Sequence, residues 1–245
     1  MIQFNEITDL TAYQQQLFTL LKQVEGVEYP VYLDSSAAEN PTIGVGFNLR
    51  DDFVRRNVLE AFGIDPTRSG LAAAQQAREQ YYADRVRDTV ALSYATVGAY
   101  QTALDQIMYD RSIDPVLSSL GARQPTFTFS TTDSEAQLKQ AFDDIIQAYE
   151  TRVNNWFAGI PNSTERLALV SLAYNGLINV GKSPSLRSAV QAGDRAEAWY
   201  EIRYNSNKNS TAATPPADVP GIAKRRYYES ETFGLYNDGS STEEQ

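Results

Sequence analysis

The hydrophobic residues of this 245-residue chain change their period twice near the N-terminus. Up to Glu25 they recur at steps of three and four residues, which predicts a helix. Residues 29–33 and 42–47 alternate apolar with small or polar residues around a polar turn, which predicts an antiparallel hairpin. Helical spacing returns after residue 50 and continues for most of the chain. One helix, a small sheet and many helices, in that order, predict an α+β fold that is mainly α.

The clearest helical pattern in the second half is the apolar stripe of Leu167, Val170, Tyr174 and Leu177, which follows capping residues at 162–165. It predicts a central core helix. Segments with helical composition are predicted as further helices: 50–62, 70–94, 108–120 (helix and turn), 133–157, 184–192, 194–204 and 222–236. Three other segments are predicted to be non-helical: 124–131 as a short hairpin or extended loop, 206–221 as a polar excursion, and 237–245 as a disordered tail.

The chain contains no histidine and no cysteine. This excludes Ser-His-Asp and Cys-His nucleophiles, disulfides, haem ligation through His, and zinc sites built from the usual nitrogen and sulfur ligands. If the chain is an enzyme, its proton transfers have to come from Asp, Glu, Lys or Tyr. We therefore expect neither a metal nor a cofactor.

Acidic residues outnumber basic ones, which gives a net charge of −10. The only tight basic cluster is Lys224-Arg225-Arg226, so we expect no nucleic-acid partner. The first eleven residues lack the basic and apolar regions of an export signal, and no stretch has the roughly 18 apolar residues of a membrane span. The sequence thus predicts a protein made in the cytoplasm without its own signal peptide and without membrane insertion.

Two carboxyl groups near the predicted hairpin suggest acid–base chemistry. Glu25 ends the first helix, and Asp34 follows nine positions later at the hairpin turn. Glycoside hydrolysis uses such a pair, because one carboxyl group protonates the leaving oxygen while the other attacks the sugar or orients water. Thr42 could help to hold that water, and Gly44 and Gly46 would let a sugar approach the backbone. The spacing alone favours a structural interpretation, with a solvated helix end, a turn-forming Asp and a bulged strand.

These residues also resemble a known family. Glu25-Gly26, Tyr32-x-Asp34 and Pro41-Thr42-Ile43-Gly44-x-Gly46 look like the N-terminal signature of phage-type lysozymes, glycoside hydrolase family 24. A second block in the family's order resembles its C-terminal half. It comprises Leu172 to Gly176, Pro184 to Arg187, Gly193-Asp194, Trp199 and Gly221 to Glu229.

The resemblance implies a lysozyme-like domain over residues 1–236, which would suit the lysozyme module of a secreted antibacterial effector. In it, 1–50 would hold the catalytic helix and hairpin, 51–131 a helical insert without a family pattern, and 132–236 a helical lobe. The implied activity is that of a muramidase that cleaves the β-1,4 bond between N-acetylmuramic acid and N-acetylglucosamine. Glu25 would be the general acid, and Asp34 and Thr42 would position water for inversion with carboxyl groups about 6.5–9.5 Å apart.

The family pattern also suggests substrate contacts at Tyr32, Gly44, Gly46 and Asn175. Many relatives have a His where this chain has Phe47, whose ring could stack on a sugar. Asn175 could equally satisfy a helix end, and positions 225 and 229 are spaced for an intrahelical Arg–Glu ion pair.

Two other functions remain compatible with the sequence. A lytic transglycosylase would use Glu25 without a partner carboxylate, and a non-catalytic peptidoglycan-binding or virion structural module would keep only the fold. The expected partners are peptidoglycan glycan strands and an immunity or inhibitor protein that occludes the substrate groove near Glu25. Because negative charge slows approach to anionic walls, we expect action in the periplasm after delivery by a holin, a phage particle or a secretion system.

Overall fold

The computed structural model of the chain describes residues 2–34, 39–94, 96–121, 123–130, 134–178, 183–205 and 220–236. The predicted tail at 237–245 and the predicted excursion at 206–221, apart from its last two residues, lie outside the described residues. The chain divides into two compact units. Unit 1 comprises Met1–Glu25 and Ile146–Gln245, and unit 2 comprises Gly26–Ile145.

Unit 2 contains the small sheet. Strands β1 (Glu28–Leu33), β2 (Pro41–Gly44) and β3 (Phe47–Asn48) pair antiparallel in that order. The predicted hairpin is therefore present, but the single strand predicted over 42–47 is divided by a turn at residues 45–46. Gly44 enters that turn with φ +66°, and an added Cβ would lie 2.8 Å from Leu138 Cδ1. Backbone geometry and packing both require glycine here.

The helices of unit 2 begin where side chains can cap them. They are α2 (Asp52–Ala61), α3 (Ala73–Ala91), α4 (Val97–Ser112), a 3₁₀ turn (Pro115–Leu120) and the first half of α5 (Ser134–Trp156). Asp51 accepts the first free N–H groups of α2, and Thr96 does the same for α4. Helix α4 starts eleven residues before the segment predicted at 108–120. Residues 123–130 form an extended loop, as one of the two sequence alternatives proposed, and the loop buries Phe127 and Phe129.

Unit 1 is helical in its described part. Its elements are α1 (Leu10–Glu25), the second half of α5, α6 (Thr164–Tyr174), α7 (Pro184–Ala192), α8 (Arg195–Tyr200), a π-helical turn (Glu201–Asn205) and α9 (Pro220–Phe233). Helix α6 is buried from Glu165 to Ala173 and packs against α1 and α9. Ser163 caps it by accepting the Arg166 N–H at 3.2 Å. The predicted central core helix is confirmed.

Helices dominate the described residues and the only sheet among them has three short strands, so the predicted α+β, mainly α class is confirmed. Within the described ranges, we find no helix with the length and apolar character that a membrane crossing requires.

Candidate active site

Glu25 is the last residue of α1, and Gly26, with φ +78°, ends the helix. Its side chain keeps 21% of its surface exposed, and its Oε1 forms an ion pair with Nη1 of Arg225 on α9. The candidate acid is therefore accessible and is held by a cation that lies 200 positions later in the chain.

Arg225 belongs to a buried ionic network in unit 1. Its Nε also donates to Glu229 Oε1 at 3.1 Å, which confirms the predicted intrahelical pair. Ser171 on α6 donates its hydroxyl to the same Glu229 oxygen at 2.6 Å, and Arg226 contacts the other one. Burial alone would lower the pKa of Arg225, but the charges of Glu25 and Glu229 raise it above its ordinary value. Arg225 is thus a fixed cation beside Glu25.

Asn175 joins this network from the C-terminal end of α6. Its Oδ1 accepts a hydrogen bond from Arg226 Nη2 at 2.6 Å. Asn175 is the C-cap residue of α6 and is exposed. The amide N–H groups of its side chain have no hydrogen bond to the parts of the chain that the structure describes, so they can donate to a ligand. Its predicted substrate contact stays a prediction.

Asp34 and Thr42 lie in unit 2 and are brought together by Asn40. Asp34 Oδ1 accepts the Asn40 backbone N–H at 2.9 Å, and Oδ2 accepts the Asn40 side-chain amide at 3.0 Å. Thr42 is buried and donates its hydroxyl to the Asn40 carbonyl at 2.9 Å. Arg50 in turn donates to Asn40 Oδ1 at 3.2 Å. One residue that the sequence reasoning did not single out, Asn40, therefore contacts both predicted water-positioning groups, through its backbone and its side chain.

The other predicted sugar contacts have different surroundings. Tyr32 is half-buried and pairs with Thr42 across β1 and β2. Gly44 is buried and Gly46 is half-buried in the turn between β2 and β3. Phe47 has no exposed surface, and its ring meets Phe129 edge-on at 6.4 Å. A fully buried ring offers no face to a sugar, so the predicted stacking on Phe47 is wrong in this conformation and Phe47 is a core residue.

The structure thus joins Asp34 to Thr42 in unit 2, and Glu25 to Asn175 through the ionic network of unit 1. The separation of the Glu25 and Asp34 carboxyl groups stays a prediction. The sequence analysis did not single out Asn40, and it assigned Arg225 only to an intrahelical pair with Glu229. The available signals were the Asn directly before Pro41-Thr42 and the tight basic cluster that contains Arg225. Across the described ranges, no group of three or more acidic side chains has metal-binding geometry.

Comparison with known families identifies this arrangement. The phage lysozyme family model matches residues 78–229, which is more than half of the chain. The chain belongs to the phage lysozyme family. This lysozyme therefore has a peptidoglycan-hydrolysing, glycosidase-type function. No curated protein matches the chain.

The matched range contains some of the candidate site residues and not others. It includes Asn175, Arg225, Arg226 and Glu229 of the lysozyme's ionic network. It also includes much of segment 51–131, in which the sequence analysis found no family pattern. Glu25, Asp34 and Thr42 precede the match, so their roles depend on the N-terminal motif and on the geometry described above.

Proposed function

We propose that this lysozyme is an N-acetylmuramidase that hydrolyses the β-1,4 bond between N-acetylmuramic acid and N-acetylglucosamine with Glu25 as its general acid. The observation that carries the proposal is the ion pair of Glu25 with Arg225. It connects the helix end of the N-terminal motif to the ionic network of the family-matched half. A partly exposed carboxyl group that is held by a cation can leave that cation and contact a substrate when the substrate binds.

The ion pair has a mechanistic consequence, because a general acid has to carry a proton and a neighbouring cation favours the ionised form. Arg225 has a second carboxylate in Glu229, which is completely buried and stays in contact through the Arg225 Nε. Arg225 can therefore lose Glu25 without becoming an unpaired buried charge. We infer that a bound glycan separates Glu25 from Arg225, and that Glu25, without its cation, takes up a proton from solvent. The protonated Glu25 then donates to the leaving oxygen.

The nucleophilic water is positioned by Asp34 and Thr42. Each Asp34 oxygen accepts one hydrogen bond from Asn40, and the Thr42 hydroxyl uses its proton on the Asn40 carbonyl. A carboxylate oxygen and a hydroxyl oxygen each accept more than one hydrogen bond, so both groups can accept from a water molecule. A water molecule that donates to both directs its own lone pair elsewhere, towards the anomeric carbon in the proposed complex. Asp34 takes its proton as the carbon–oxygen bond forms, which inverts the anomeric configuration.

We propose peptidoglycan glycan strands as the substrate and the periplasm as the place of action. The net charge of −10 supports this location, since it opposes approach to walls that carry dense surface anions. Delivery would come from a holin, a phage particle or a secretion system. In a secreted antibacterial effector, an immunity protein would occlude the groove beside Glu25.

The test is hydrolysis of purified peptidoglycan by Glu25→Gln and Asp34→Asn variants, with Glu28→Gln as the matched control. Glu28 is an exposed carboxylate three residues from Glu25 and begins β1. We expect Glu25→Gln to lower kcat by about 10²- to 10⁴-fold, the usual contribution of a general acid. Asp34→Asn should lower it by about 10²-fold or more, and Glu28→Gln should stay within about twofold.

Mass spectrometry of the products separates the alternatives. Reducing muropeptides support hydrolysis, whereas anhydro-muropeptides as the main product would show a lytic transglycosylase and contradict the role of Asp34. Full wall-degrading activity in folded Glu25→Gln protein would refute Glu25 as the acid. A wild-type chain that binds walls without cleaving them would be a non-catalytic module.

A further inference from the structure

Unit 1 carries a cluster of exposed and half-buried aromatic side chains that the catalytic proposal does not use. It consists of Trp199, Tyr200, Tyr204, Tyr227 and Tyr228, and we refer to these five residues as the aromatic strip. They lie on α8, on the π-helical turn that follows it, and on α9. None of the five side chains is among the buried residues of the hydrophobic core.

The rings of the strip form a continuous series. Tyr204 contacts Tyr200 at 5.2 Å and Trp199 at 6.0 Å between ring centroids, and Tyr227 contacts Tyr228 at 5.6 Å. Arg203 joins the two groups, because its guanidinium lies 5.8 Å from the Trp199 ring and 4.2 Å from the Tyr227 ring. The strip therefore extends without interruption from α8 to α9.

Arg203 also fixes the strip in place. It donates to Ser230 Oγ at 3.0 Å and to the Tyr227 carbonyl at 3.4 Å. The residues from 201 to 205 form a π-helical turn, a rare geometry that is often associated with functional sites. An arginine with this many partners holds the neighbouring rings in a defined arrangement before any ligand binds. Such preorganisation lowers the entropy cost of binding.

Three of the five rings are about half-exposed: Tyr200 at 47%, Tyr204 at 53% and Tyr227 at 46%. A contiguous exposed apolar surface in a soluble protein marks an interaction site more often than an isolated exposed residue does. Tyr and Trp combine an apolar ring face with a polar group at the edge. A pyranose has the matching surfaces, with C–H groups on its faces and hydroxyl groups at its edge.

Charges of both signs lie around the strip. Lys224 lies 5.8 Å from the Tyr228 ring, whereas Arg203, which lies between the two ring groups, also forms an ion pair with Glu231 at 3.5 Å. Peptidoglycan is anionic, because its peptide stems carry carboxylates. The Lys224 ammonium is therefore the cation at the strip that can pair with a stem carboxylate.

The strip also begins close to the candidate acid. Tyr228 follows Arg225 by three residues on α9, a rise of about 4.5 Å along the helix axis. Arg225 is buried and contacts Glu25, whereas Lys224 and Tyr227 on the same helix are exposed. Helix α9 thus has Arg225, the partner of Glu25, on its buried side and Tyr227 of the strip on its exposed side.

We propose that the aromatic strip is a second glycan-binding surface, which holds a peptidoglycan strand by stacking sugars on Tyr204, Tyr227 and Tyr228 while cleavage occurs at Glu25. This inference rests on the proposed function for the identity of the polymer. The strip retains the enzyme on insoluble peptidoglycan and takes no part in the chemical step.

The test is co-sedimentation with purified insoluble sacculi in a Glu25→Gln background, where cleavage does not remove the ligand. We expect Tyr204→Ala and Tyr227→Ala each to weaken binding by about 2- to 10-fold, in the range of one aromatic contact. Tyr204→Phe should bind like the parent protein because the ring face remains. Tyr109→Ala is the matched control, since Tyr109 is 52% exposed and lies in unit 2.

Turnover by the same substitutions in the active enzyme provides the second measurement. The strip variants should raise the KM for sacculi and leave kcat on a short soluble muropeptide unchanged. Unaltered sacculus binding by folded Tyr204→Ala and Tyr227→Ala proteins would overturn the proposal. A second result would also overturn it: the wild-type protein is a dimer, and the same substitutions convert it to a monomer without affecting sacculus binding. The strip would then be a protein interface.

The two proposals fail differently. If the chain binds sacculi through the strip but Glu25→Gln leaves activity intact, the assignment of the acid fails and the strip remains. If Glu25→Gln abolishes cleavage while the strip variants bind normally, only the strip is wrong. The strip proposal would also be overturned if the strip substitutions lowered activity equally on sacculi and on the short muropeptide. The substitutions would then act on the catalytic subsites.

Discussion

Asn40 uses all of its hydrogen-bonding groups around one point of the site. Its backbone N–H and side-chain amide hold the two oxygens of Asp34, its carbonyl accepts the Thr42 hydroxyl, and its Oδ1 accepts from Arg50. An unbound aspartate at a turn has several rotamers of similar energy. Asn40 selects one of them, so it is a positioning residue for the proposed water.

We therefore predict that Asn40→Ala lowers kcat on soluble muropeptides by about 10- to 100-fold, because a misplaced Asp34 orients water poorly. KM should change little, since Asn40 holds the water-positioning groups and not the sugar. Steady-state kinetics with thermal unfolding as a check on folding measures both quantities.

Asn48→Ala is the matched control, because Asn48 pairs with Thr42 in the sheet but its side chain only accepts the Arg50 backbone N–H. If Asn48→Ala lost as much activity as Asn40→Ala, general damage to the sheet would explain the effect. Asn40 would then have no specific positioning role.

Phe47 shows what the sequence could not reveal at the level of single residues. The motif places an aromatic residue after Gly46, and sequence reasoning gave that ring to the substrate. In the fold it is completely buried beside Phe129, which comes from a loop more than 80 residues away. Burial depends on which distant segment covers a residue, and periodicity within a strand of two residues contains no information about that.

At the scale of elements, α3 and α4 are joined by buried polar contacts as well as by apolar packing. Glu79 and Arg111 form a two-point ion pair in which both side chains are almost inaccessible. Asp114 accepts from the Tyr82 hydroxyl at 2.9 Å and from Arg78 Nε at 2.8 Å. Because such groups are costly to bury without partners, they specify how the two helices align.

The lowered pKa of Asp114 makes the stability of this helix contact depend on pH. Burial alone would raise it, but hydrogen bonds from Tyr82 and Val116 and the charge of Arg78 lower it overall. A carboxyl group whose pKa is lower in the folded state stabilises the fold above its unfolded pKa of about 3.9, and this contribution is lost as the pH falls through the folded value.

We predict that Asp114→Asn lowers the free energy of unfolding by about 1–3 kcal/mol near neutral pH, and that this difference shrinks towards zero as the pH falls below about 3. Urea unfolding at several pH values measures it. The matched control is Asp110→Asn, whose pKa is also lowered but whose ion pair with Arg85 is one-third exposed. That change should cost less than about 1 kcal/mol. A difference for Asp114→Asn that stays constant with pH would contradict the linkage.

The sequence predicted the elements with strong local signals and missed those without them. Helices α1, α6 and α7 carry clear apolar stripes or caps and begin and end within a few residues of the predicted positions. Helix α4 was largely missed because small and polar residues interrupt its stripe, although Thr96 offered a cap. The contact of Glu25 with Arg225 follows from tertiary packing, so a sequence could indicate its two residues but not their pairing.

For the whole molecule, the acidic charge has a kinetic consequence. A protein of net charge −10 is repelled by an anionic polymer, and salt screens that repulsion over a Debye length of about 10 Å at 0.1 M. We predict that kcat/KM on sacculi rises about 2- to 5-fold when ionic strength increases from about 10 to about 100 mM. Turnover of short muropeptides measured over the same range should change less.

Exposed acids outside the proposed site offer the charge variant for this test. Glu6 is exposed, and Asp88 is 70% exposed in the last turn of α3, where a cation is also favourable for the helix. Glu6→Lys and Asp88→Lys together should raise activity on sacculi at low salt and flatten the salt dependence. If wild-type activity on sacculi declined steadily as the salt concentration increased, the enzyme would be attracted to the anionic polymer and not repelled by it.

The order of the two units along the chain has a consequence for biosynthesis. Unit 2 is inserted into unit 1, so α1 is synthesised before unit 2 whereas its partners α6 and α9 are synthesised after it. Residues 26–145 can fold while α1 has no other part of unit 1 to pack against. At about 5–20 residues per second, Arg225 follows Glu25 after roughly 10–40 s. The ion pair of the proposed acid therefore forms only after Arg225 on α9 has been translated, which delays a wall-degrading activity until that point of synthesis.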